Sequence, residues 1–172
     1  MKHKLLATDN MKTKFLIIYT CLIALMASCT DNSREKAAKT DPKPTYSLFP
    51  TGKEITNSNF KGKAYLQSLI EADSLNQIAV GNVTFEAGSR TNWHSHPGGQ
   101  ILLATAGTGY YQEKGSPIKI LHRGDAIKCP PNVVHWHGAS PDDMFAQVAI
   151  TTRQAGPPVW LQPVTDEEYQ AK

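Results

Sequence analysis

The stretch TNWHSHPGGQ, residues 91–100, sets two histidines two positions apart, then a proline, two glycines and a glutamine. A second pair stands downstream in CPPNVVHWHGA, where His135 and His137 are again two apart. Neutral imidazole is the commonest metal ligand in proteins, and metal sites gather several on one side of the backbone. In an extended strand successive side chains alternate faces. His94 and His96 therefore share a face, Trp93 and Ser95 take the other, and His135 and His137 repeat the arrangement around Trp136. A lone histidine would carry no message, since histidines decorate many loops. Four of the chain's six, in two same-face pairs, predict a metal centre.

Strands must position such a centre, and the apolar spacing supplies them. Val83 and Phe85 alternate with polar neighbours, as do Ile118 and Ile120, the period expected of half-buried strands. Glycine and proline punctuate at short intervals: Gly88, Pro97-Gly98-Gly99, Gly107, Gly109, Gly115, Gly124, Pro130-Pro131, Gly138 and Pro141. Many short strands with such turn signals predict an all-β antiparallel sandwich or barrel. Thr165-Asp166-Glu167-Glu168 has the capping-box pattern and predicts a short C-terminal helix. No internal repeat is visible.

The first third reads differently. From Met11 the chain runs MKTKFLIIYTCLIALMASC, two lysines and then an apolar run from Phe15 to Ala27. That run is shorter than the roughly 20 residues a membrane span needs, and its basic front and small-residue end predict a secretory signal. Met26-Ala27-Ser28-Cys29 resembles the lipobox of bacterial lipoproteins, which implies lipidation of Cys29 and a protein anchored at the cell envelope. Met1–Asn10 is then a short leader or an overcalled start. Residues 30–45, TDNSREKAAKTDPKPT, lack large apolar side chains and predict a flexible tether. The folded domain is expected over 46–172.

The net charge of +3 lies wholly ahead of Cys29. The rest of the chain is neutral, which argues against a nucleic-acid partner. Once Cys21 has left with the signal and Cys29 is lipidated, Cys129 has no partner for a disulfide.

Two longer patterns carry a resemblance. Gly88, five residues, His94-Ser95-His96, three residues, Gln100, six residues and Gly107 follow the first motif of the cupins, with glutamine where most carry glutamate. Gly124, five residues, Pro130, one residue, Asn132, two residues and His135 follow the second, with Asn132 where glycine is usual. The match covers roughly 82–150. It implies a jelly-roll barrel, and two motifs at matching spacing speak more strongly for the fold than for the reaction. RTNWHSHPGGQ, HWHGASP and the terminal VTDEEY further resemble small single-domain cupins that include manganese-dependent hydroxynitrile lyases and carboxymuconolactone-decarboxylase-like proteins. That resemblance implies His94, His96, Gln100 and His135 as ligands of one divalent ion, with His137 the nearby acid/base. The lyases carry histidine where Gln147 stands here.

Gln100 bears on the chemistry. Its neutral oxygen cancels no charge, so a three-histidine site keeps the full +2 of its ion and is the stronger Lewis acid. Manganese is the expected metal, while iron, nickel, cobalt or zinc suit the same donors. Glutamine cannot accept a proton either, which leaves His137 as the expected acid/base, with a fifth-ligand or interface role as its alternative. Gln147 is expected to line the substrate pocket or to face solvent. Arg90 is expected at the surface, with contact to a substrate carboxylate as the alternative. Trp93 and Trp136 read as core or interface, Cys129 as a small buried hydrophobe, and His122 as structural. Three functions compete: a metal-dependent lyase or decarboxylase-like enzyme on a small hydroxy or carbonyl compound, a quercetinase-like dioxygenase, and a non-catalytic metal or small-ligand binder. The expected partners are a small-molecule substrate and further copies of the chain, with membrane contact only through lipid.

Overall fold

The structure, a computed structural model, describes residues 48–171. The expected signal segment, Cys29, the expected tether and Tyr46 lie outside the described residues, within which no helix is long and apolar enough to cross a membrane. Twelve strands and one helix follow in order: β1 (Lys53–Glu54), β2 (Phe60–Lys61), β3 (Ala64–Ile70), β4 (Ile78–Phe85), β5 (Arg90–Thr91), β6 (His94–Ser95), β7 (Gln100–Glu113), β8 (Lys119–His122), β9 (Ala126–Cys129), β10 (His135–Ala139), β11 (Phe145–Thr152), β12 (Val159–Trp160) and α1 (Asp166–Gln170). All pairings are antiparallel, along the path β1-β3-β4-β11-β7-β10-β5-β2, with β6 beside β10 and β12, and β8 and β9 beside β7. The fold is an all-β antiparallel jelly roll, its curled sheet packed on an inner and an outer cluster of buried side chains.

β7 is the hinge of this curl. Its first half pairs with β11 and β9, and its second half with β8 and β10. Gly107 and Gly109 therefore lie inside a strand, where the sequence suggested turn punctuation. Gly107 sits at the bend with φ of 69°, and a Cβ there would strike the Met144 carbonyl. At Gly109 the missing Cβ lets the Phe145 ring lie against the backbone. Between Ala146 and Gln147 the register with β7 shifts, the local kink that lets an antiparallel sheet turn a corner.

Alternation along β10 divides its side chains between two cores. His135 and His137 face the barrel interior with Phe85, Leu102, Tyr111 and Phe145. Trp136 faces outward and packs with Trp93, Tyr110, Val164 and Tyr169 under α1. The two indoles meet edge to face at 6.5 Å. Helix α1 is held by the expected capping box, Thr165 Oγ1 accepting from the Glu168 amide at 3.1 Å and Glu168 Oε2 from the Thr165 amide at 3.0 Å. In the expected strand near residue 120 it is Leu121 that turns inward, while Ile120 and His122 are exposed.

Arg90 corrects an expectation, for it is 2% exposed. Its guanidinium donates to the Val164 carbonyl at 3.1 Å and to Asp166 at 2.6 Å, and lies 4.3 Å over the Tyr169 ring. The C-terminal segment covers it, leaving no route to a substrate carboxylate. Arg90→Ala should therefore lower unfolding stability by about 2 kcal/mol through lost packing of stem and ring. A lower urea midpoint at unchanged slope checks this; Asp166→Asn, at the exposed end of the contact, should shift it far less.

Candidate metal centre

β6 and β10 bring the histidines together because they pair directly, His135 opposite His94. His94, His135 and His137 each offer a ring nitrogen, all within 4.8 Å of one another, and all three side chains are buried. His96, one residue past β6, places its ring 5.2 Å from that of His94 and 5.7 Å from that of His135. The turn after it closes as the Gly99 amide donates to the His96 carbonyl at 3.0 Å, which starts β7 at Gln100. Gln100 Oε1 lies 3.0 Å from His135 Nε2. The structure thus gathers all five residues of the sequence reading and moves His137 into the cluster itself. Asn132 holds a φ of 63°, the one non-glycine among the described residues with positive φ. Asparagine tolerates that conformation, which is why it stands in for the usual glycine of the second motif.

Hydrogen bonds set which ring nitrogen faces inward. His94 Nδ1 lies 2.9 Å from the Asn92 carbonyl, and His135 Nδ1 lies 2.9 Å from the Val133 carbonyl. A carbonyl only accepts, so each Nδ1 bears the proton and each Nε2 keeps its lone pair, the arrangement of metal-ligating histidines. The His135 Nε2 lone pair then faces the Gln100 carbonyl oxygen at 3.0 Å, two acceptors with no hydrogen between them. A shared cation relieves that contact, and the spacing suits neighbouring ligands of one first-row ion with bonds of about 2.1 Å. His96 Nε2 is buried and without a partner, as an inward-facing ligand atom would be. The donor set fits a divalent first-row metal.

His137 differs. Its Nδ1 lies 2.7 Å from Gln147 Nε2, an amide nitrogen that donates. The neutral ring therefore carries its proton on Nε2, which is buried with no partner. Gln147, read from sequence as pocket lining or solvent-facing, is completely buried behind His137 and away from solvent.

Burial dominates the electrostatics. It lowers the pKa of His94 and His137 well below 6.5, of His135 below that value, and of His96 to about 4, where the His135 and Arg153 charges add. All four are neutral at pH 7, as ligation requires. Beside them Cys129 is buried, its Sγ 3.1 Å from His135 Nδ1, and burial raises its thiol pKa. Above the cluster opens a cavity of about 400 Å³, with His94, His96, Gln100 and His137 on its floor. Phe60, Leu66, Val83 and Trp160 form much of its wall, and Glu71 and Arg153 also line it. Trp160 stacks on His94 at 4.6 Å. The sequence reading missed Phe60, Trp160 and Arg153, which stand in no motif and reach the cavity only through strand pairing and chain return.

Residues 81–149 match the cupin domain family. An (R)-mandelonitrile lyase from Granulicella tundricola is 41% identical over 112 residues, 64% of this chain and 86% of that protein. The chain is a cupin. A solved cupin-like protein from Thermotoga maritima is 45% identical with a TM-score of 0.69, over 73% of this cupin and 96% of that chain. A cupin barrel protein from Rhodopseudomonas palustris, 18% identical with a TM-score of 0.55 over 67% of this chain and 78% of its own, shares the fold.

The neutral histidines make the metal-free cupin acid-sensitive. Unfolded histidines bind protons below about 6.5, whereas folded His96 does so only near 4. Stability held above 6.5 should therefore be lost as pH falls across that window. Thermal unfolding with a chelator present should show the midpoint dropping there, and a flat midpoint would contradict neutral burial.

Proposed function

We propose that this cupin is a metal-dependent lyase of small hydroxy or carbonyl compounds, with His94, His96, Gln100 and His135 as ligands of one divalent ion and manganese as the metal. The observation that carries the reading is the buried histidine cluster, with His96 Nε2 and His137 Nε2 unpartnered and His135 Nε2 facing the Gln100 oxygen, on the floor of an apolar-walled cavity. The relative at 41% identity, a lyase of (R)-mandelonitrile, supports the class of reaction. The bound ion supplies Lewis acidity to a substrate oxygen, undiminished by any ligand carboxylate. His137 holds a proton on Nε2 toward the cavity. As the carbon–carbon bond of a hydroxy compound breaks, the departing fragment takes that bond's electron pair and the Nε2 proton. The hydroxyl oxygen becomes a carbonyl oxygen, and its proton returns to Nε2, so the ring ends as it began. Gln147 keeps the ring oriented throughout. Phe60, Phe85 and Trp160 exclude water from the floor.

Metal analysis and turnover test this together. His96→Ala and His135→Ala should each lose most of about one ion per chain, while His137→Ala should keep the metal and lose turnover by about 100-fold or more. Loss of metal from His137→Ala would make that histidine a ligand, and unchanged metal in the other two would refute the ligand set. Turnover that persists without oxygen is expected of the lyase and excludes a dioxygenase.

The same reading places the protein at the bacterial cell envelope, anchored by lipid on Cys29. Cys29→Ala should move it from the membrane fraction to the soluble one, since a lipid chain is the only anchor invoked. A variant still sedimenting with membranes after loss of its signal would refute the anchor. The proposal includes a homo-oligomer joined across the outer face of β7, where Ile101 and Leu103 are exposed.

A further inference from the structure

Inward-facing positions on β11 follow the period of two. Gln147, Ala149 and Thr151 pair with Ala104, Leu102 and Gln100 of β7, so Thr151 stands opposite a residue of the histidine floor. Arg153 continues the series two residues on and lines the same cavity. Two residues span roughly 7 Å of strand at about 3.4 Å each, so its guanidinium reaches the space above the floor within the length of one small molecule. The Arg153 backbone is fixed, its amide donating to the Gln77 carbonyl at 2.7 Å and its carbonyl accepting from Gly156 at 3.0 Å. Its side chain enters none of the three ion pairs of the described residues, Lys61–Asp166, Arg90–Asp166 and Lys114–Glu168.

Charge decides what this arginine is for. The cavity's one acidic lining residue is Glu71, and the ligands proposed above are all neutral, so a bound divalent ion keeps its full charge. A cationic substrate would be repelled by that ion, which leaves Glu71 no cation to anchor. An anionic substrate would be drawn by ion and guanidinium together. Arginine's planar fork matches a carboxylate with two parallel hydrogen bonds.

We propose that Arg153 binds a carboxylate of the substrate, so that the site takes small hydroxy or oxo acids in preference to neutral compounds of the same shape. Arg153 is then a specificity-determining residue. This rests on the reading of the site as a metal-held hydroxyl pocket.

Mandelate and mandelamide are a matched pair of probes. Both carry an α-hydroxyl for the floor and a phenyl ring for the Phe60 and Trp160 wall, and they differ in charge. Calorimetric titration of the full chain loaded with Mn²⁺ should show mandelate binding about tenfold or more tighter than mandelamide. Arg153→Gln should cut that preference severalfold, to what the ion alone supplies, by weakening mandelate alone with metal content unchanged, and Arg153→Lys should restore part of it. A wild-type protein that binds the two equally, or an Arg153→Gln protein that keeps the full wild-type preference, would overturn the role of Arg153 while leaving the pocket reading intact. A metal-loaded wild type that binds neither probe would overturn the pocket reading, and this inference with it.

Discussion

Four imidazoles share one barrel floor without an acidic side chain among them, and the rest of the molecule is arranged around that fact. Burial forbids their charged forms, and so does each neighbour. Such a group is stable only if every ring is neutral and every nitrogen has an assigned task. Backbone carbonyls of Asn92 and Val133 settle two rings and the Gln147 amide settles a third. The carbonyl partners lie two residues from their histidines, so the strands that present the rings also set their tautomers.

The amide behind His137 separates that ring from its neighbours. A carbonyl partner makes an imidazole an inward acceptor, whereas a donating amide makes it an inward donor. One residue of β11 thus divides a cluster of chemically identical groups into ligand-type and proton-bearing members. A histidine at that site could donate or accept, while glutamine offers both ends of one amide and no titration near neutral pH.

Outside the barrel, the indoles of Trp93 and Trp136 make the inward histidines possible. Alternation turns one side chain out for every one turned in, and an outward tryptophan needs cover. Helix α1 and Arg90 give it, through Tyr169 and the pairing of Trp93 Nε1 with Glu168 at 3.1 Å. Residues 164–169 therefore support the site from the far side of the sheet, while Trp160 just before them stacks on His94.

Much of this was legible in the chain itself. The His-x-His pairs, the motif glycines, the turn residues and the capping box are local signals, because alternation and turn chemistry act over two to four residues. They determined an all-β sandwich or barrel, the inward face of His94, His96, His135 and His137, and the short helix, while the jelly roll followed from the resemblance to the cupins. What they left open depended on residues far apart in sequence. Arg90 read as a surface cation until the strand carrying it met Asp166 and Tyr169. Gln147 could line a pocket or face water until β11 set it behind His137. Glycines 107 and 109 looked like turns until β7 was seen to pass through both. Arg153 and Trp160 carried no signal, since cavity walls are assembled from strands whose neighbours are chosen by register, and register is a property of the folded sheet rather than of any one segment.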